Sequence, residues 1–322
     1  MKDAHAVVVL PPGAYGHLAD KRQCRWLSRG SVSFGRPNEE LLLAVLDAIN
    51  APVPAGGLAA LRFWGQTGER SSAWIAAADP VHFETRLRHL VVREILPGEV
   101  GLDELRALFD TLQHELANDD IDFARLGSYG YLRGCDSIDT PAVSAAIAQG
   151  RVPDEFTPGG QSAGAYHNLQ GELQMLLHDH PVNMQRSAAG MPAINSLWFW
   201  GGGIAPEEIV HEIPMLFAND PLYAGYWASV SGQVERWDGD FETCLERSTG
   251  SLVAVVPQAS HADNAVLLED CVDRLLRHLK RRELDRLTLF FRDGLRIDMK
   301  RRDLLKIWRG VSTFLTEQVI NG

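Results

Sequence analysis

The sequence predicts an α/β protein: a largely parallel sheet with helices on both faces, plus an inserted smaller α+β domain. Three observations predict it. The β-branched runs HAVVVL at 5–10 and SLVAVVP at 251–257 each end in turn residues. Runs of this kind read as strands buried on both faces, as in parallel sheets. Amphipathic helical segments alternate with such strands on both sides of the chain's middle third. Within that third the order changes to strand, helix and hairpin, which suits an α+β unit. The expected domains are 1–78 and 195–322 for the core and 79–194 for the insert, and a length of 322 residues accommodates both at roughly 150 residues per domain.

The elements follow in order. After the first strand, Pro11-Pro12-Gly13 makes a turn. Arg36-Pro37-Asn38-Glu39-Glu40 opens a helix whose apolar face is 41–49, with Asn38 as its N-cap. The segment 51–57, APVPAGG, is a loop, and 58–64 and 73–78 continue as ordered elements. A boundary falls near Asp79-Pro80. His82 and Glu84 then alternate with apolar neighbours, as in a strand with one wet face, and His89 lies close by. Leu105, Leu108, Phe109, Leu112 and Leu116 fall at three- and four-residue steps and predict a helix over 102–116. Segments 121–124 and 129–132 alternate as a hairpin, 141–160 is a Gly- and Pro-containing connection, and a helix over about 164–178 follows. Beyond residue 203, a helix is expected at 220–227, a strand at 251–257 and a helix at 265–279. Arg292-Asp293-Gly294 joins 287–291 to 295–298 as a hairpin. A last helix is expected from about 302 to 319.

One stretch carries most of the information: 178–203, HDHPVNMQRSAAGMPAINSLWFWGGG. Pro181 breaks the helix before it, because proline lacks an N–H and restricts the preceding residue. Trp198, Phe199 and Trp200 lie in a short apolar strand that stops at Gly201-Gly202-Gly203, where another group can approach the backbone closely. Open α/β sheets place ligands at strand ends of this kind. His178, His180, Asn183, Arg186 and Asn195 admit two readings. They can hold a phosphate or carboxylate, with Arg186 giving a bidentate grip. Equally, they can satisfy backbone groups where two domains join.

HPVN followed by Arg186, Gly190, Pro192, Asn195 and an aromatic strand ending in glycines resembles the archaeal-type cofactor-independent phosphoglycerate mutases, of the alkaline phosphatase superfamily. The WFWGGG form resembles a bacterial branch of that group labelled RpfE-type regulatory protein. The phrase AADPVHFETRLRHLVV resembles the start of the domain inserted into the mutase core, and the similarity runs from about residue 75 to about 280. The resemblance implies an alkaline phosphatase-like core, two divalent metals held by Asp and His residues, and a serine that carries the phosphoryl group. Several of these positions differ here. The first strand, which should end in a metal-binding aspartate, ends in Leu10 and Pro11. Asn38 or Glu39 stands where the nucleophilic serine is expected, with Ser31 and Ser33 upstream. Gln258 stands where a later aspartate is expected, leaving His261 and Asp263 as weak metal candidates, and no Asp-His pair follows.

Composition bounds the rest. Lys and Arg number 31 against 42 Asp and Glu, a net charge of −11. Such a balance disfavours non-specific binding to nucleic acid or to an anionic membrane, so neither is expected as a partner. The most basic stretch is read as 274–286, a solvated helix face. Cys24, Cys135, Cys244 and Cys271 form no CxxC pair, which argues against zinc ribbons and thioredoxin chemistry. No signal segment or membrane span is recognised, and a cytoplasmic location is expected. The functional expectation is a non-catalytic binding or regulatory protein on the mutase scaffold, with a small phosphorylated or carboxylate ligand and no cofactor. The alternative is a metal-dependent phosphoglycerate mutase or phosphatase with a relocated site, using manganese or zinc.

Overall fold

A computed structural model describes residues 4–35, 39–86, 89–118, 120–134, 138–159, 163–248, 250–258 and 261–316, the side chains of 261–263 apart. The chain divides into two compact units. Met1–Val53 with Glu208–Gly322 forms a split unit, and Pro54–Glu207 forms an inserted unit. The expected insert, 79–194, is therefore shorter than the observed one. The difference arises because strand 196–203 and the helix at 58–67 pack with the insert's own sheet.

The split unit opens with β1 (His5–Leu10), α1 (Lys21–Leu27), β2 (Ser31–Phe34) and α2 (Leu41–Ile49). The inserted unit follows with α3 (Leu58–Thr67), β3 (Ile75–Arg86), β4 (His89–Glu94), α4 (Leu102–Glu115), β5 (Asp122–Leu126) and β6 (Tyr129–Arg133). It ends with α5 (Ala145–Ala148), α6 (Ala163–His178), α7 (Pro181–Ala188) and β7 (Ser196–Gly203). The chain returns to the split unit through β8 (Met215–Ala218), α8 (Pro221–Ser229), β9 (Val234–Glu235), α9 (Phe241–Arg247) and β10 (Leu252–Val255). It closes with α10 (His261–Arg281), β11 (Arg286–Phe291), β12 (Leu295–Lys300) and α11 (Thr313–Thr316).

The split unit contains a seven-stranded sheet of order β2-β12-β11-β1-β10-β8-β9. β1 pairs parallel with β10 and β11, β8 pairs parallel with β10 and β9, and β12 alone runs against the others, pairing antiparallel with β11 and with β2. The expected largely parallel α/β sheet is thus present. Successive side chains of a strand point to opposite faces. Ala6, Val8 and Leu10 share a core with Cys24 and Leu27 of α1, Phe241 of α9, and Val272, Leu275 and Leu279 of α10. Val7 and Val9 are also fully buried, and α2 meets β1 and β11 with Leu42, Val45 and Leu46 buried. Both faces are covered, which is why β1 and β10 read as unbroken apolar runs rather than alternating ones.

The inserted unit contains a five-stranded sheet. β3 is its spine and pairs antiparallel with β4, β6 and β7. Ala76 and Ala78 of β3 and Leu197 and Phe199 of β7 pack under Leu105, Leu108 and Leu112 of α4 and Leu169, Leu173 and Leu177 of α6. The 3.6-residue periodicity of α4 and the β5–β6 hairpin are as expected. β7 differs from expectation: it belongs to this antiparallel sheet, not to the parallel one.

The expected C-terminal helix is also corrected. Residues Arg301–Leu305 form a single 3₁₀ turn and only Thr313–Thr316 is helical among the described residues. Asp303 caps the turn, accepting the Lys300 N–H at 2.8 Å and the Lys306 ammonium at 2.8 Å. Ile307, Gly310, Val311, Ser312 and Thr313 follow it, and β-branched, Gly and Ser residues all propagate a helix weakly.

Gly13 shows how tightly the turn after β1 is fitted. A Cβ there would stand 2.2 Å from Cδ1 of the Phe291 ring, which is fully buried and has nowhere to swing. Gly13→Ala is predicted to destabilise the protein by about 1–3 kcal/mol through overpacking, read as a lowered urea midpoint with an unchanged slope.

Candidate functional site

The HPVN stretch forms a buried polar network inside the inserted unit. α6 ends at His178, and His180 caps α7 while Pro181 takes its first helical position, where a missing N–H costs nothing. The His180 ring accepts the Val182 N–H through Nδ1 at 3.3 Å. Its Nε2 lies 3.0 Å from Thr111 Oγ1, whose hydroxyl donates to Ala107 O. With Nδ1 accepting, Nε2 carries the proton and donates to Thr111. Burial holds the His180 pKa below the usual imidazole range, in keeping with a neutral ring.

Asn183 is buried and joins three segments. Its Nδ2 donates to Leu177 O at 2.7 Å and Ile194 O at 2.8 Å, and its Oδ1 accepts from Ile194 N at 2.7 Å. Leu177 O is one of the carbonyls a helix end leaves without an intrahelical partner. Asn195 extends the β3–β7 ladder by one rung, accepting from Phe83 N at 2.7 Å and donating to Phe83 O at 3.1 Å. Arg186 is 0% exposed. Its Nε donates to Pro192 O at 2.8 Å, and its Nη1 donates to Glu99 O at 3.0 Å and to Glu104 at 3.1 Å. The same Glu104 carboxylate accepts the Gly101 N–H at 2.7 Å at the start of α4. Among the described residues, Nη2 of Arg186 is left without a partner. Every group that holds Arg186 lies within Pro54–Glu207, so these contacts do not place it at a domain junction as the sequence suggested.

The glycine run is a packing requirement. Gly201 N donates to Pro141 O and Gly202 N to Thr140 Oγ1, both at 2.8 Å. A Cβ on Gly202 would meet the Trp74 ring at 2.5 Å, and one on Gly203 would meet Gly57 N at 2.8 Å. The aromatics before it are core, and both indole N–H groups are satisfied: Trp198 donates to Val143 O at 2.8 Å and Trp200 to Asp79 at 2.6 Å. Asp79 in turn grips the buried Arg62, which lies over the rings of Tyr129, Tyr131 and Trp200. Nothing in the sequence singles out this second buried cation, because a lone Arg in an apolar helix resembles any surface residue. Gln170 is a further unforeseen contributor, donating to Leu197 O and accepting from Ser196.

At the carboxyl ends of the parallel strands of the split unit the residues are Leu10-Pro11 after β1, Asn219-Asp220 after β8, Val256-Pro257-Gln258 after β10 and Arg292-Asp293 after β11. Asp293 Oδ2 accepts the backbone N–H groups of Gly13 and Ala14 at 2.7 and 2.6 Å. Adjacent amides after a strand form an anion nest, and here the chain's own carboxylate fills it. Asp220 caps α8, accepting the Leu222 N–H at 2.9 Å. Arg292 lies alongside, donating to Val256 O. This donor set does not fit a pair of divalent cations, because both carboxylates already accept backbone N–H bonds. Among the described residues no group of three or more His, Cys, Asp or Glu could hold a metal. Ser31 and Ser33 lie in β2, at the edge of the sheet. His82 binds Ala193 O at 2.9 Å and His89 is exposed. Asn38, Cys135 and the side chains of His261 and Asp263 lie outside the described residues. The thiols of Cys244 and Cys271 are pushed up to about 12 by burial, which disfavours the thiolate a nucleophile needs.

The inserted unit has one further feature, a cleft of about 410 Å³ whose lining includes Phe83, His89, Tyr166, His167 and Gln174. Burial raises the Tyr166 phenol well above its ordinary range, so Tyr166 is a neutral hydrogen-bonding group.

Fold and site together define a two-unit α/β protein in which the most distinctive polar motif fastens one unit internally. Over 149 residues the chain is 31% identical to the 2,3-bisphosphoglycerate-independent phosphoglycerate mutase of Methanosarcina barkeri, covering 43% of this chain and 37% of that protein. It is 32% identical to the corresponding mutase of Methanosarcina mazei, with the same coverage. The match thus spans well under half the length of these relatives. No protein-family model matches the chain. The cofactor-independent phosphoglycerate mutase from Thermoplasma acidophilum aligns with 98% of this chain and 93% of its own, at 14% identity and a TM-score of 0.42. The chain is a sequence relative of the archaeal-type cofactor-independent phosphoglycerate mutases over about two fifths of its length.

Removing a buried cation leaves its acceptors unpaired. Arg186→Ala is predicted to cost about 2–4 kcal/mol, measured by chemical denaturation of the full chain.

Proposed function

We propose that this chain is a non-catalytic binding or regulatory protein on a phosphoglycerate mutase-like scaffold. The observation that carries the reading is the state of the first strand end. Where the family resemblance implies a metal-binding aspartate, the chain has Leu10 and Pro11, and the amides just beyond them are held by Asp293. Two-metal phosphoryl transfer needs carboxylates free to hold both ions against the attacking and leaving oxygens. The motif that carries the resemblance supports the same reading. His180, Asn183, Arg186 and Asn195 are engaged by protein groups within one unit, so the motif can be kept for folding without any reaction.

The ligand class we assign is a small phosphorylated or carboxylate compound, and its place is the cleft of the inserted unit. Clefts of a few hundred cubic ångströms with an apolar floor and a few polar groups are the usual form of small-molecule sites. Phe83 and Tyr166 supply the floor here, while His89 and His167 stand exposed at the lining and can meet an anion.

Purified protein assayed with 3-phosphoglycerate and manganese is predicted to show no turnover and no stoichiometric bound metal. Two bound metals with turnover would overturn the reading and restore a relocated site built on His261 and Asp263. In the same preparation a phosphorylated or carboxylate ligand is predicted to raise the melting temperature, because it binds only the folded state, and His167→Ala is predicted to remove that shift.

A further inference from the structure

The split unit ends in a segment unlike the rest of the molecule. After β12 the chain reads Lys300-Arg301-Arg302-Asp303-Leu304-Leu305-Lys306-Ile307-Trp308-Arg309. Leu305, Ile307 and Trp308 are 73%, 75% and 78% exposed. A single exposed apolar side chain is ordinary, but three large ones within four residues form a patch that needs an occupant.

The surroundings of the patch are basic. Arg29 of the α1 C-terminus donates to Leu304 O at 2.6 Å, and Arg309 donates to the carbonyls of Arg29 and Gly30. Ser312 N is held by Ser28 Oγ at 2.8 Å. The segment therefore lies along the end of α1. Trp26 of that helix has the Arg29 guanidinium 3.8 Å and the Lys280 ammonium 3.9 Å from its ring centroid. Burial lowers the Lys280 pKa, and Arg22 and Arg29 add to that as like charges, against the opposing charge of Asp273. Two acids nearby are already paired, Asp285 with Arg301 and Asp303 with Lys306. Arg22, Arg29, Lys280, Lys300, Arg302 and Arg309 thus make a positive field beside the apolar patch, on a chain whose net charge is −11.

We propose that this face is a peripheral docking surface for an anionic phospholipid bilayer. Basic side chains meet the headgroup phosphates, while Leu305, Ile307 and Trp308 enter the interface between headgroups and acyl chains. Tryptophan favours that depth because its body is apolar and its N–H is polar. Lys and Arg bring long apolar stems with charged tips, which suits the same boundary. Two aliphatic side chains beside the indole favour a bilayer over nucleic acid, whose bases are met by aromatic stacking. The net negative charge of the chain does not oppose this, since attraction acts within a Debye length of about 8–10 Å and depends on the face presented. The proposal is independent of the reading given for the cleft.

The test is co-sedimentation of the full chain with vesicles of phosphatidylcholine alone and of phosphatidylcholine doped with phosphatidylglycerol. Binding is expected only to the anionic vesicles, and it should fall as salt rises from about 0.1 M to about 1 M. Arg302→Glu and Trp308→Ala should each weaken it about tenfold or more. Neither side chain is buried, so both variants should keep the parent melting temperature. Brominated lipid should quench tryptophan emission in the parent and not in Trp308→Phe. The proposal is overturned by absence of binding to the anionic vesicles, by equal binding to neutral vesicles, or by variants that bind like the parent. It is also overturned if Trp308→Ala instead abolishes a dimer seen by sedimentation velocity or a single-stranded DNA complex.

Discussion

A guanidinium taken out of water must have its donors met by protein, and in the inserted unit that requirement organises the elements around it. Arg186 lies on a two-turn helix too short to hold itself in place. Its bonds reach the loop before β7, the turn before α4 and the Glu104 side chain. Glu104 is itself fixed at the N-terminus of α4, where a carboxylate is favoured by the free amides and the helix dipole. Asn183, one turn earlier, ties the end of α6 to Ile194. Asn195 then sets the register of β7 against β3. Each bond is modest by itself, about 1 kcal/mol net. Their value is that loss of one leaves a buried partner unsatisfied, so the network holds or fails as a unit.

Much of the fold was legible in the sequence because the signals were local. The β-branched runs of β1 and β10, the 3.6-residue spacing in α4, the Pro181 break and the Asp293-Gly294 hairpin each state their structure within a few residues. What was not legible depended on long-range pairing. β7 reads as a buried strand, but nothing in SLWFWGGG says whether its neighbour is β3 or β1. The assignment of β7 moved the domain boundary with it. The C-terminal segment failed for another reason: Leu304, Leu305, Ile307 and Trp308 look like a helix stripe, yet three of these side chains face water.

The residues of the HPVN motif were all found from the sequence, while their role turned on geometry. A histidine, two asparagines and an arginine can serve an anion or a set of backbone groups equally well, because both present lone pairs to N–H donors. The structure supplies the acceptors: five backbone carbonyls, one carboxylate and the Thr111 hydroxyl. Asp293 is the opposite case. It appeared only as a turn residue in the sequence, yet it reaches across to the loop after β1 and takes the amides that an anion would use.

The central claim is that Arg186 and Glu104 act together to hold the inserted unit, and a double-mutant cycle measures that directly. Arg186→Met, Glu104→Gln and the double variant would be compared by urea denaturation. The account predicts a coupling energy of about 0.5–3 kcal/mol, as for residues in direct contact, with the double variant less destabilised than the sum of the singles. Additive effects, with no coupling beyond error, would show that the motif does not hold the unit together and would contradict the account.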